Sequence, residues 1–137
     1  MKSRSESLIR LKKFQVDEKR RQVAQIEMMV NDFVRMAGEL DQQIEIEQTK
    51  TGISDVAHFA YSTFAKAALA RRDNLIASAN DMREKLETAQ DGLAEAIEDL
   101  KKVELLDQRE HQREAVEQLK VEQAEYDEIG RLRFRQQ

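Results

Sequence analysis

The chain contains no cysteine, no proline and no tryptophan, and only four glycines in 137 residues. Without cysteine there is no disulfide framework and no thiol chemistry, a pattern compatible with a reducing compartment. Without proline, nothing in the interior forces a helix to stop or kink. Aromatic residues make up 5% of the chain, too few for a large packed core. No apolar run approaches the roughly 20 residues needed to cross a bilayer, and the charged N-terminus is not followed by an apolar secretory segment. These features predict a soluble cytoplasmic protein that does not insert into a membrane.

What is abundant is charge, at 36% of residues, arranged around two heptad seams. From Ile9, positions seven apart are Val16, Val23, Val30, Ala37 and Ile44, with Ile26, Phe33 and Leu40 at the interleaved core position. A second seam reads Tyr61, Ala65, Ala68, Arg72, Leu75, Ala79, Met82, Leu86, Ala89, Leu93, Ala96, Leu100 and Val103, with Arg72 its one charged member. Between them lies the break Thr51-Gly52-Ile53-Ser54-Asp55. Each stripe buries most readily against the other. The expected fold is all-α, a two-helix antiparallel coiled-coil hairpin forming one domain over residues 1–137. Helix 1 is expected at about 5–50, the tip at 51–58 and a longer helix 2 at about 59–133.

Facing residues of an antiparallel pair have numbers of constant sum, and both 105 and 112 satisfy the pattern. The first pairs Val30 with Leu75, the second Val30 with Met82 and Ile9 with Val103. Gly52 can take the left-handed conformation that ends helix 1, and Ser54 or Asp55 can cap the start of helix 2. Gly38 and Gly92 interrupt nothing, because the periodicity continues through them. After Val103 the seam turns polar at Asp107, Glu110, Glu114 and Glu117, while Val116, Leu119 and Tyr126 reappear in a shifted phase. If residues 106–133 stay helical, they run about 40 Å beyond the paired region.

Charge is segregated. Residues 1–21 hold eight basic and three acidic side chains, and Arg131, Arg133 and Arg135 add a second basic group. Residues 84–128 hold fifteen acidic and six basic ones. Solvated helix faces and internal compensation account for such runs on many coiled coils, and a basic end aimed at an acidic partner is the functional alternative. A nucleic acid or anionic membrane is the least favoured partner, since the acidic stretch repels phosphate.

Chemistry is sparsely represented. His58 and His111 lie far apart on a two-helix fold, and Asp107, His111 and Glu114 share a face in the manner routine on acid-rich helices, so no metal is expected. There is no glycine-rich phosphate loop and no serine in a nucleophile context, so neither catalysis nor a cofactor is expected. Phe59, Tyr61 and Phe64 cluster after the break, where they either close the end of the hairpin or anchor a partner. Phe14 and Phe134 raise the same question at the opposite end.

The order and spacing of these elements resemble the flagellar type III export protein FliJ family over the whole chain. The resemblance rests on a basic amphipathic first helix with Leu8-x-x-Leu11, a break near residue 52, Tyr61-x-x-Phe64-x-x-x-Ala68, Lys101-Lys102-Val103-Glu104, and Asp127-Glu128 followed by arginines. Ala68 stands where the family commonly has a larger residue. The resemblance implies a coiled coil similar to the central stalk of rotary ATP synthases, its terminal end entering the hexameric flagellar export ATPase. It further implies that Arg10, Lys13, Arg20, Arg21, Arg131, Arg133 and Arg135 contact that ring. Tyr61, Phe64 and Ala68 would contact the membrane-embedded export gate protein FlhA. Flagellar export chaperones are further implied partners, with the protein cytoplasmic and peripheral at the inner face of the cell membrane at the flagellar base. A generic coiled-coil adaptor, dimerising by opening helix 1, is the alternative.

Overall fold

The computed structural model describes residues 4–136 and consists of two helices, α1 (Arg4–Thr51) and α2 (Thr63–Gln136). No strand is present among the described residues. The fold is the expected all-α antiparallel hairpin, and α2 is the longer helix at 74 residues against 48. The chain divides into two compact units: Val16–Glu95, and Met1–Gln15 together with Ala96–Gln137.

The unit Val16–Glu95 contains all nine hydrophobic residues that are buried among those described: Val16, Val30, Ala37, Leu40 and Ile44 of α1, with Tyr61, Ala65, Ala68 and Ala79 on the other arm of the hairpin. All are members of the two heptad seams, and the intervening seam positions are half-buried. Leu40, Ile44 and Ala68 form a buried cluster within it, with Leu69 and Leu75 packed against that cluster. Branched side chains from α1 meet alanines from α2, so bulk on one helix fills the shallow surface of the other.

Arg72, the charged member of the second seam, is accommodated by an ion pair across the helices. Its Nη1 lies 2.9 Å from Asp41 Oδ1, while Nε and Nη2 donate to Asp73 Oδ1. In the same unit Gly92 faces Lys19, whose Cδ lies 3.9 Å from where a glycine Cβ would stand. The facing numbers of these two pairs add to 113 and 111, so the register is the one near 112 rather than 105.

The connection explains that choice. Gly52, at φ +73°, ends α1 in the left-handed region and donates its N–H to Gln48 O at 2.9 Å. Residues 52–62 then form the link, longer than the expected 51–58, because the chain makes two further turns. Asp55 Oδ1 accepts from Ala57 N–H and Asp55 O from His58 N–H; His58 O then accepts from Tyr61 N–H. Asp55 thus stabilises a turn, and the helix-starting role expected of it or of Ser54 falls to Ser62. Ser62 Oγ accepts from Ala65 N–H at 3.2 Å and donates to Glu47 Oε1 at 3.0 Å, capping α2 and tying it to α1.

In the other unit, the start of α1 lies beside α2, with Ser5 Oγ 3.5 Å from Glu110 Oε2. Ile9, Lys12, Ala96, Leu100, Val103 and Asp107 are half-buried, and no described residue of this unit is buried. From Gln108 to Arg135 every side chain is exposed. This stretch of α2 stays helical with no described partner helix, as expected for a second helix that outlasts the first.

Candidate interaction surfaces

In the unit Val16–Glu95, the aromatic residues after the break divide by role. Tyr61 is 9% exposed, and its hydroxyl accepts a hydrogen bond from Gln48 Nε2 at 2.8 Å, so its ring is core and its polar tip is satisfied. Ala68 is buried beside Leu40 and Ile44. Phe64 is 55% exposed and Phe59 97% exposed. The Phe59 ring stacks on the His58 imidazole at a centroid distance of 4.7 Å, and His58 Nδ1 accepts from Ala60 N–H. Val56 and Ile46 add apolar exposure in this unit. Of the three residues that the resemblance assigns to the export gate, Phe64 alone offers its side chain outward, while Tyr61 and Ala68 form the packed layer beneath.

Arg20 and Arg21 lie exposed on α1 of the same unit, with Arg21 Nη1 2.9 Å from Glu18 Oε1 one turn earlier. An exposed pair at this spacing is weak and readily exchanged for another carboxylate. The guanidinium of Arg72 is different: hydrogen bonds to Asp41 and then Asp73 hold its pKa above the usual arginine value.

In the unit formed by Met1–Gln15 and Ala96–Gln137, Arg10 and Lys13 are exposed on α1, and Arg131, Arg133 and Arg135 are exposed near the end of α2. The structure does not bring these two basic groups together. With α1 beginning beside Glu110, the residues from 111 to 131 place Arg131 about 30 Å further along α2. Arg131 pairs with Glu128 at 3.2 Å.

His111 donates from Nδ1 to the Asp107 carbonyl at 2.8 Å, with Asp107 Oδ1 3.5 Å away. That backbone bond, followed by the Asp107 carboxylate and the weaker fields of Glu114 and Glu110, raises the His111 pKa above 6.5. No group of three or more ligating side chains capable of holding a metal is present among the described residues. No described helix is long and apolar enough to cross a membrane.

Sequence reasoning missed the Ser62 cap and the Gln48–Tyr61 and Glu47–Ser62 bonds. Ser62 stands three residues before Ala65, a spacing that marks an N-cap, but no acidic partner at the third position completes the usual signature.

The seams, the capped connection and the exposed charged faces define an antiparallel coiled-coil protein whose outward features suit contacts with other macromolecules. The profile of the family described as flagellar FliJ protein matches residues 1–137. The chain belongs to the FliJ family and is a component of flagellar protein export. Comparison with curated proteins and with solved structures gave no match.

Proposed function

We propose that the protein acts as a stalk-like coiled coil that binds the hexameric flagellar export ATPase, promotes its assembly, and couples it to the export gate protein FlhA and to delivery of flagellar export chaperones. Family membership over the full chain is the observation that carries this reading. The exposed basic side chains suit an acidic ring lining: Arg10, Lys13, Arg131, Arg133 and Arg135 in one unit, and Arg20 and Arg21 in the other. Phe64 is the gate contact, with Tyr61 and Ala68 holding the helix under it. The protein works in the cytoplasm, peripheral at the inner face of the cell membrane at the flagellar base, and contributes no catalysis of its own. The seam of Val30, Leu40 and Ile44 is already buried within one chain, so the closed hairpin leaves no unpaired core there for dimerisation through α1.

The test is titration of the purified chain into the cognate export ATPase, following turnover and, by light scattering, ring assembly. Stimulation of both, lost when Arg20 and Arg21 are changed to Glu, is the expected result. A folded chain that neither binds nor stimulates would remove the stalk reading.

A further inference from the structure

The free stretch of α2 carries its own seam. Val116, Leu119, Tyr126 and Gly130 fall at coiled-coil spacing with Gln112 and Gln123, in a phase shifted from the α1-facing positions Leu100, Val103 and Asp107. Val116, Leu119 and Tyr126 are all exposed, and around Gly130 nothing lies within 4 Å of where a Cβ would stand, leaving a hole between the exposed rings of Tyr126 and Phe134. A helix with an apolar seam and no partner is usually completed by another helix.

We infer that this seam is an interface for a second copy of the same chain, with residues 113–134 of the two α2 helices pairing antiparallel. Charge selects both the occupant and the register. Residues 107–128 hold eight acidic and three basic side chains, whereas Arg131, Arg133 and Arg135 follow with no acidic residue after Glu128. An antiparallel pair sets each arginine tail alongside the acidic stretch of the other copy, and a parallel pair sets like beside like.

Three heptad registers keep the seam in contact. One sets Lys120 against its own copy and Arg109 against Arg133; another sets Asp127 against its own copy. The third sets Lys120 beside Asp127 twice by symmetry, lays Arg113 over the Phe134 ring, fits Leu119 into the hole at Gly130 and places Gln123 next to the Tyr126 hydroxyl. Only the third avoids setting like charges against each other. The paired segments span about three heptads and begin after the end of α1's cover near Glu110, so α1 does not obstruct them.

Pairing of two copies does not rest on the export role, although it engages Arg131 and Arg133, and is tested on the full chain without partners. Sedimentation equilibrium is run at low and at about 150 mM salt on the wild type, Lys120→Glu, Asp127→Lys and the double variant, with far-UV circular dichroism confirming helicity. Both positions are exposed, and within the monomer Asp127→Lys removes a Gln123 amide bond to the Asp127 carboxylate at 3.1 Å. A monomer–dimer equilibrium weakened by salt is expected, loosened about tenfold by each single change and restored to within about threefold by both together. A chain that stays monomeric to about 0.5 mM at low salt overturns the proposal. So does a dimer indifferent to both single changes, which would use another face.

Discussion

The two units of this protein are built on one heptad rhythm, yet only one of them has a buried core. In Val16–Glu95, Val30, Leu40 and Ile44 meet Ala65, Ala68 and Ala79 at seam positions, and those residues are excluded from water. In Met1–Gln15 with Ala96–Gln137, the seam includes Ser5, Lys12 and Asp107 beside Ile9, Leu100 and Val103, and nothing described is buried. Spacing aligns the helices in both; side-chain chemistry decides where alignment becomes stability. The second unit is therefore the part of the hairpin that opens at low cost.

The strongest way to break this contrast is to empty the core. Leu40→Ala should cost about 2–4 kcal/mol in urea unfolding followed by circular dichroism, whereas Ile9→Ala, at a half-buried site, should cost under about 1 kcal/mol. Equal losses would mean that the two units share one cooperative core. Gly38→Ala works in the opposite direction. Gly38 lies within α1 with open space around it, so the change should stabilise the chain by about 1 kcal/mol, raising the urea midpoint. The Asp41–Arg72 pair should show a coupling of about 0.5 kcal/mol in a double-mutant cycle, small because Asp41 is half exposed to solvent. Removing either side chain alone tests whether a charged seam position is held by its partner or merely tolerated.

The smallest effect belongs to His111. Its folded-state pKa is raised, so the stabilisation from its protonated form is fully present below the unfolded value near 6.5 and is lost as pH rises through the higher folded value. An NMR titration should place the His111 midpoint above 6.5, and His111→Gln should remove the accompanying pH dependence of helicity in that unit.

Both helices and their seams were legible in the sequence, because the heptad rule depends on residue type at fixed spacing. Arg72 shows where that legibility ended: its position in the seam was plain, but Asp41 as its partner required the register. The register in turn was set by the connection, where local polar bonds from Asp55, His58 and Ser62 compete with continued helix in ways that periodicity does not report. The proposed contact residues were more legible. Tyr61 and Ala68 fall on the seam and Phe64 does not, and the structure turns the first two inward and Phe64 outward. The overhang of the second helix likewise holds Arg131 well beyond the start of α1, as the end of the seam after Val103 required.

The uncovered run of α2 also has a thermal consequence. While the chain is monomeric, helicity beyond Glu110 rests on local backbone bonds and on neighbouring pairs such as Arg131 with Glu128, with no core to make melting abrupt. Such a segment loses order gradually from its end as temperature rises, while the packed unit melts in one step. Within a single molecule, one stretch of helix therefore answers to temperature by degrees and another by all or none, and docking against any rigid surface would convert the first behaviour into the second.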